Sequence, residues 1–225
     1  MPRDLQRPFV LPAGATDLLL VRHGSSSRGE DAGSPNGGAG QSDPPLTEDG
    51  VRQAASVAQR LADVTAAGLF VTPLRRTAET AEPIAELLGA TPIVVPELRE
   101  VHLGEWEGQL NARVKQDGSL SRELFRAERW DVIPGAEPME EFAERVRAGI
   151  AVVADTVGAD ATAIAVVHGG VIAEACRQVT GSHAFAFLYA ENCSITRIVR
   201  MPRGRWALLG FNDTAHLGGP VPVAG

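Results

Sequence analysis

The chain has 225 residues, enough for one domain with a sizeable core, and its 44% hydrophobic and 22% charged residues are ordinary for a globular protein. Its formal net charge of −7 argues against a general nucleic-acid binder, which usually carries a basic face. The N-terminus lacks the apolar core of a signal peptide, and no run is long enough to span a bilayer. We therefore expect a cytoplasmic protein with no membrane partner, in which Cys176 and Cys193 are reduced core residues.

The first strand is predicted where four aliphatic residues follow one another. Residues 1–16 contain three prolines and little periodicity, and are predicted to form an N-terminal arm. Residues 18–21 are typical of a strand buried on both faces inside a parallel sheet, and this strand ends at Arg22, His23 and a glycine. The polar, Gly- and Ser-rich residues 25–43 predict a long loop, either a mobile rim over a site or a disordered segment.

Helical and apolar segments then alternate. Thr47 is predicted to cap a helix. Residues 68–71 are predicted to form a second strand, and residues 91–95 a third. The helix between these two strands contains Pro83, which is expected to kink or restart it. The stripe predicted to be buried on the helix after Thr47 consists of Val51, Ala54, Ala55, Ala58, Leu61, Ala62 and Thr65.

The second half repeats the alternation after an irregular stretch. Residues 97–138 are predicted to be an excursion over the carboxyl edge of the sheet, where substrate specificity is usually built. Further elements are predicted as a helix from residue 138, a strand at 161–167, a helix at 171–179, and strands at 194–200 and 205–211 joined by a hairpin-like link. The pattern predicts a three-layer α/β fold with a mainly parallel sheet, in one domain over residues 17–217 with a tail at 218–225.

Three predicted strand ends carry the same chemistry. The first carries Arg22 with His23, the second carries the arginine pair at 75–76, and the third carries His168 followed by Gly169 and another glycine at a helix N-terminus. Ligands of open α/β sheets bind beyond the carboxyl ends of the strands, and free N–H groups at a helix N-terminus suit an oxyanion. Together these ends predict an anion site, with Gly169 among its phosphate-binding groups.

These blocks also carry a family resemblance. The sequence resembles the histidine phosphatase superfamily, in its phosphoglycerate mutase-like branch, over nearly the whole chain from about residue 17 to residue 217. The segments that carry the resemblance are Val21-Arg22-His23-Gly24, residues 43–54, Thr72-Pro73-Leu74-Arg75-Arg76-Thr77, residues 98–108, Val167-His168-Gly169-Gly170 and residues 212–217.

The resemblance implies a role for each matching residue. It implies that His23 is a nucleophile that accepts a phosphoryl group, that Arg22 and Arg76 hold the phosphate oxygens, and that His168 is the second imidazole of the site. Glu100 would be the proton donor to the leaving oxygen. By the same resemblance, Arg75 is a variable position whose side chain is expected to face away from the phosphate site. Two arginines beside His23 should independently disfavour its protonated form, and so leave more of it nucleophilic near neutral pH.

The departures from the family pattern favour hydrolysis. Many relatives, including the mutases, carry Glu-Thr after the Arg-His-Gly and an Asn a few residues on. Here Ser25 and Ser26 occupy the first two places and Gly29 the third, so the acidic residue and the Asn are missing. Ser26 keeps a hydroxyl and is a candidate phosphate ligand. We therefore expect a metal-independent phosphomonoesterase, with no cofactor, that acts on a small phosphorylated substrate. Phosphoglycerate mutase-type transfer and a non-catalytic phospho-ligand module remain alternatives.

The remaining candidates have weaker contexts. His102, His183 and His216 are each expected to be structural or on the surface. Glu105 and Glu107 are interpreted as parts of a solvated structural turn. Relatives are often dimers, so a homodimer stays open, although no stretch marks an interface.

Overall fold

The computed structural model describes residues 9–27 and 40–218. Half of the predicted arm and most of the predicted loop and C-terminal tail, namely residues 1–8, 28–39 and 219–225, lie outside the described residues. Within them the first strand begins at Thr16, one residue before the predicted domain boundary.

The described strands form one six-stranded sheet in the order β3-β2-β4-β1-β5-β6. The neighbours from β3 to β1 are parallel, and β5 is antiparallel to both β1 and β6. Five strands therefore point one way and β5 alone points the other, which confirms the mainly parallel sheet. The strands are β1 Thr16–Arg22, β2 Gly68–Val71, β3 Ile93–Val94, β4 Ala161–Val167, β5 Ile195–Arg200 and β6 Trp206–Asp213.

Helices cover both faces of this sheet and complete the predicted three layers. The described helices are α1 Glu48–Leu61, α2 Arg75–Leu88, α3 Leu110–Gln116, α4 Gly118–Ala127, α5 Met139–Val157 and α6 Gly169–Thr180. Side chains of β1 alternate between the layers, as the two-residue period of a strand requires. Leu18 and Leu20 pack in the cluster that includes α5 and α6, whereas Val21 packs in the cluster that includes α1 and α2.

Several local predictions need correction. Helix α2 does not restart at Pro83 but runs through it as one element, and Ala81 and Ile84 on either side are fully buried, so that packing holds the helix across the lost backbone hydrogen bond. The third strand shrinks to the two residues of β3, whose side chains are exposed at the sheet edge. Helix α6 begins at Gly169 rather than at residue 171, and the 97–138 excursion contains α3 and α4.

Helix α1 begins where predicted and buries Ala54, Ala58 and Leu61 of the predicted stripe, but the rest of the stripe needs correction. The hydroxyl of its N-cap Thr47 accepts the Gly50 N–H at 3.1 Å, as an N-cap should. Val57, absent from the predicted stripe, is fully buried, whereas Val51 is 59% exposed. The helix ends at Leu61, so Thr65 lies beyond it.

No helix in the described ranges, 9–27 and 40–218, is long and apolar enough to cross a membrane.

The backbone after β1 touches the first turn of α1 at two glycines. A Cβ on Gly24 would lie 2.7 Å from the carbonyl oxygen of Gly50, and a Cβ on Gly50 would lie 2.0 Å from that of Ser25. These distances leave no room for a side chain at either position. The contact fixes the direction in which the chain leaves His23.

Gly50→Ala tests this contact. Although alanine is the better helix former, we expect the free energy of unfolding to fall by about 2 kcal/mol, because backbone atoms of Ser25 must move. Urea unfolding measures the change. The control is Gly210→Ala in β6, where a Cβ meets nothing within 4 Å and the change should be within about 0.5 kcal/mol. Equal effects of the two substitutions would contradict the contact.

Candidate active site

Adjacent strands bring the predicted site residues to one edge of the sheet. Strands β1, β2 and β4 are neighbours and parallel, so His23, Arg76 and His168 follow carboxyl ends that lie side by side. The ring centroids of His23 and His168 are 5.2 Å apart, and Arg76 Nε lies 3.3 Å from His23 Nε2. Residues more than 140 positions apart in the sequence therefore form one cluster.

The hydrogen bonds of His23 determine which ring nitrogen is free to react. Its Nδ1 lies 2.8 Å from the carbonyl oxygen of Gly24. A carbonyl can only accept, so Nδ1 carries the proton and the lone pair is on Nε2. The Arg76 Nε–H donates to that lone pair. Asn192 donates from Nδ2 to the carbonyl oxygen of His23 at 2.8 Å and holds the backbone of the same residue.

The surroundings of His23 keep its ring neutral. Burial is the largest effect and lowers the pKa of His23 well below its ordinary value, and the positive charges of Arg76 and Arg22 lower it further. The hydrogen bond to the Gly24 carbonyl opposes this shift without reversing it. The result is a neutral imidazole with an available lone pair near neutral pH.

His168 lies behind His23 and does not line the open cavity described below. It is fully buried, and its Nε2 is 2.9 Å from the hydroxyl of Thr72, which follows β2. Burial chiefly lowers the pKa of His168 well below its ordinary value, and Arg76 adds to the effect. His168 is therefore a second neutral imidazole, packed against the first.

The two arginines are held by backbone carbonyls. Arg22 Nη1 donates to the carbonyl of Ala190, and Arg76 Nη1 donates to that of Ser42 at 3.0 Å. Arg76 is only 8% exposed, and burial chiefly lowers its pKa, an effect that nearby carboxylates oppose. Arginine offers planar, bidentate contacts to phosphate that lysine lacks, so two held guanidinium groups beside His23 suit a phosphoryl group.

Glu100 joins this cluster from the 97–138 excursion. Its carboxylate accepts the N–H of Val101 at 3.0 Å and that of Gly170 at 3.2 Å. A Cβ on Gly170 would lie 2.5 Å from Glu100 Oε1, so a side chain there would displace the carboxylate from this position. The neighbouring Gly169 is buried and does not line the cavity. A Cβ there would contact the Arg22 side chain at 3.4 Å.

A nearly buried ion pair supports the backbone of Glu100. Arg145 of α5 donates to the carbonyls of Glu97, Arg99 and Glu100 at 2.6–2.9 Å. The same guanidinium forms a bidentate pair with Glu137, and the two side chains are 14% and 11% exposed. Helix α5 therefore fixes the position from which Glu100 reaches the site.

Glu107 differs from its interpretation as part of a solvated turn. Its two carboxylate oxygens accept the N–H groups of Ser42 and Leu103, at 3.0 and 2.9 Å, and it lines the cavity. It thereby ties the segment that follows the 28–39 range to the excursion. Gln41 makes a parallel connection, donating to the carbonyl of Glu100 at 2.8 Å.

A cavity of about 680 Å³ opens over this cluster. Among the predicted site residues Arg22, His23, Ser26, Arg76 and Glu100 line it. The excursion supplies much of its remaining wall, as predicted. The other described lining residues are Ser25, Ser27, Ser42, Pro44, Val101, Leu103, Glu107, Gly108, Gln109, Leu110, Asn111, Ala112, Lys115, Gln116 and Asn192.

Arg75, His102, His183, His216 and the two cysteines stay outside this cavity, in line with their sequence-based interpretation. The side chain of Arg75 is 59% exposed and pairs with Glu79 on the outer face of α2. His102 accepts the Gly104 N–H, His183 pairs with Glu128, and His216 contacts the Cys193 carbonyl. Both cysteines are buried free thiols, as predicted.

The sequence analysis missed Asn192, Arg145 and Glu137. The nearest signal for Glu137 and Arg145 was their spacing, because they lie eight positions apart around the start of the helix that follows the excursion. Asn192 gave no signal, because it reaches His23 only through the packing of the turn before β5 against the end of β1.

A family model for the histidine phosphatase superfamily, branch 1, matches residues 18–214. The chain belongs to this superfamily. A probable phosphoglycerate mutase of Yersinia pestis is 30% identical over 189 residues, which cover 81% of this chain and 87% of that protein.

Solved structures share the fold. A mycobacterial glucosyl-3-phosphoglycerate phosphatase superposes with a TM-score of 0.71 at 26% identity, and the match covers 89% of this chain and all of that one. A Bacillus anthracis phosphoglycerate mutase superposes with a TM-score of 0.75 at 23% identity over 91% of this chain and 96% of that one, a likeness of fold alone. The proteins that this chain resembles thus include both mutases and a phosphatase by name.

The buried histidines predict how stability depends on pH. The unfolded chain binds protons at histidine with a pKa of about 6.5, whereas folded His23 and His168 have lowered pKa values and stay neutral. Unfolding therefore takes up protons below pH 6.5, and the free energy of unfolding falls as the pH falls. His168→Asn should remove about 1.5 kcal/mol of the loss seen between pH 6.5 and 5.

Urea unfolding at both pH values measures this loss. His183→Asn is the matched control, because the His183 side chain is 67% exposed, and it should change the loss little. If wild type and His168→Asn lost stability in parallel, His168 would not be held neutral by the fold.

Proposed function

We propose that the protein is a phosphomonoesterase that hydrolyses a small phosphate ester through a phosphohistidine on His23. One observation carries this proposal. The Nδ1–H of His23 is held by the Gly24 carbonyl, so the lone pair on Nε2 faces the Arg76 guanidinium in a cavity that it shares with Arg22 and Glu100. A nucleophile, two phosphate-binding cations and a proton donor are the groups that this reaction needs.

The first step transfers the phosphoryl group to the enzyme. His23 Nε2 attacks phosphorus, the ester P–O bond breaks, and its electron pair leaves with the alcohol oxygen. Glu100, in its protonated form, gives that oxygen a proton, since an alkoxide is a poor leaving group. Arg22 and Arg76 stabilise charge on the transferring phosphoryl oxygens. The Arg76 N–H that contacts Nε2 is then available to phosphate.

The second step returns the enzyme to its starting state. Water attacks the phosphorus of phosphohistidine and gives a proton to the Glu100 carboxylate. The P–N bond breaks, its electron pair returns to Nε2, and inorganic phosphate leaves. His168, a neutral imidazole whose ring centroid lies 5.2 Å from that of His23, is proposed as the second imidazole of the site.

Phosphoglycerate mutase activity is the second candidate, favoured by the name of the Yersinia relatives at 30% identity. Transfer requires that the phosphoryl group return to a bound acceptor rather than to water, which needs a site that holds both partners closely. Ser25, Ser26 and Ser27 line the wall next to His23 and offer short side chains. This favours water as the acceptor. A cytoplasmic location is part of the proposal, and a homodimer stays open.

His23→Ala should lower turnover of p-nitrophenyl phosphate by about 10³-fold or more, because the covalent route is lost. The assay covers pH 5 to 8 with a chelator present, so that activity shows metal independence. His183→Ala, an exposed histidine outside the cavity, is the control and should keep wild-type activity. Equal turnover by wild type and His23→Ala would rule out His23 as the nucleophile.

If the wild-type protein is inactive in that assay, it is tested for mutase activity with a three-carbon phosphate and a bisphosphorylated primer. Transfer with little hydrolysis would establish the mutase instead. Tight phosphate binding with neither reaction would leave a binding module.

Glu100→Gln tests proton donation through the leaving group. We expect kcat/KM for an alkyl phosphate such as glycerol phosphate to fall by about 10²–10⁴-fold, because the alkoxide then leaves unprotonated. Nitrophenolate needs no proton to leave, so kcat/KM for its ester should fall far less. Glu105→Gln, an exposed carboxylate that does not line the cavity, is the control. Equal losses for both esters would show that Glu100 is not the acid.

A further inference from the structure

The segment that follows β6 has no role in the proposed chemistry, although residues 212–217 are among those that carry the family resemblance. Asn212 and His216 of this segment do not line the cavity. They contact the chain just before β5 instead. The Glu191 N–H donates to Asn212 Oδ1 at 2.6 Å, and His216 Nε2 lies 2.9 Å from the carbonyl oxygen of Cys193. A carbonyl only accepts, so His216 Nε2 carries the proton and donates it.

These two side chains hold residues 190–194, which we call the 190–194 turn. The Ser194 N–H donates to the Glu191 carbonyl at 3.0 Å, and Cys193 between them has a φ of 56°. Residues other than glycine seldom adopt this left-handed conformation, and they keep it only where their surroundings hold them there. The bond from His216 reaches the carbonyl of this same cysteine. It therefore supports the turn at its least favourable point.

The opposite side of this turn contacts the end of β1. The Ala190 carbonyl accepts a hydrogen bond from Arg22 Nη1. The Cys193 N–H donates to the Arg22 carbonyl at 2.9 Å, and Asn192 Nδ2 donates to the His23 carbonyl at 2.8 Å. The turn therefore holds both the guanidinium that is proposed to bind phosphate and the backbone of the proposed nucleophile.

The segment after β6 is itself anchored in the fold. The Asn212 N–H donates to Thr196 Oγ1 at 3.2 Å, and Leu217 packs in the cluster that includes α1 and α2. Asn212 has a φ of 58°, a conformation that asparagine tolerates better than most residues. The anchored segment can therefore set the position of the 190–194 turn, and through that turn the position of Arg22.

We propose that His216 and Asn212 are positioning residues of the phosphoryl site, which act on Arg22 and His23 through the 190–194 turn. This inference rests on the proposed hydrolysis, in which Arg22 stabilises charge on the transferring oxygens. Such stabilisation depends on exact placement, since a displacement of about 1 Å can cost about 10²-fold in rate. A hydrogen bond outside the cavity thereby contributes to the chemistry inside it.

The test replaces His216 with and without a donor near the position of Nε2. His216→Leu removes the hydrogen bond, whereas the side-chain amide of His216→Gln can replace it. We expect His216→Leu to lower kcat/KM for p-nitrophenyl phosphate about tenfold, less than the 10²–10³-fold typical of removing a charge-stabilising donor, because Arg22 is still present. His216→Gln should stay within about threefold of wild type.

Thr16→Val is the matched control. The Thr16 hydroxyl donates to the Gly158 carbonyl at 2.9 Å, so valine removes one side-chain hydrogen bond at the opposite end of β1. Urea unfolding measures the stability of each variant, and activity is assayed where all of them are folded. Thr16→Val should lose stability and keep the wild-type kcat/KM. Equal losses of activity in Thr16→Val and His216→Leu would overturn the positioning role.

Asn212 provides a second arm of the test. Asn212→Gly removes the acceptor of the Glu191 N–H and keeps the positive φ, which glycine adopts freely. Asn212→Asp keeps an acceptor oxygen. We expect Asn212→Gly to lower kcat/KM about fivefold, as the loss of one hydrogen bond would, and Asn212→Asp to stay close to wild type. Wild-type activity of Asn212→Gly would overturn the role of Asn212.

A signal from His23 itself provides a readout that needs no turnover. In protein labelled with ¹⁵N-histidine, the Nδ1–H signal of His23 is assigned by its loss in His23→Asn. This signal should shift in His216→Leu, because the turn holds the His23 carbonyl, one peptide away from the Gly24 carbonyl that accepts the Nδ1–H. It should keep its wild-type position in His216→Gln and in Thr16→Val.

The outcomes keep the two proposals apart. Hydrolysis by wild type with no loss in His216→Leu, or a loss that His216→Gln shares in full, would overturn the positioning role and leave the phosphatase intact. If wild type hydrolysed nothing, the phosphatase would fail, and the His23 signal would still decide the positioning role. An unchanged signal in His216→Leu would overturn that role.

Discussion

The hydrogen bond from His23 Nδ1–H to the Gly24 carbonyl is the interaction on which the site depends. It assigns the proton to one ring nitrogen and the lone pair to the other, so the reactive atom is chosen by the backbone. The bond requires a fixed backbone after β1, and the close contact between Gly24 and Gly50 provides it. A structural constraint in the first turn of α1 thus determines the chemistry of an imidazole at the end of a strand.

Burying cations at a sheet edge requires negative charge nearby. The carboxylates of Glu100, Asp43 and Glu107 surround Arg76 and raise its pKa, which opposes the effect of burial. Glu100 has the largest effect of the three and Glu107 the smallest. All three come from connecting segments rather than from the sheet, and their oxygens accept backbone N–H groups, including that of Arg75 at the start of α2. The segments over the carboxyl edge therefore hold the arginine in a charged state as well as forming walls of the cavity.

The sheet and the cluster at its edge could be predicted from the sequence because each depends on local patterns. The β1 and β4 segments are apolar runs that end on charged or imidazole residues, and parallel strands place such ends together. The positions of Glu107 and Arg145 could not be predicted, since their partners lie in segments that only tertiary packing brings close. The same reason applies to Val57, whose burial depends on the angle at which α1 meets the sheet.

Residues at the sheet edge are more constrained in evolution than residues of the excursion. The groups that handle the phosphoryl transfer are fixed by strand ends, by glycines with no room for a side chain and by the pair between Arg145 and Glu137. Helix α3 contributes no fully buried residue, and its Asn111, Ala112, Lys115 and Gln116 are exposed, whereas Leu110 and Val114 pack against the core. Substitutions at the exposed positions of α3 change the cavity wall at little cost in stability, whereas substitutions at the edge disturb packing and charge together. The exposed residues of α3 that line the cavity can therefore vary independently of the residues at the sheet edge.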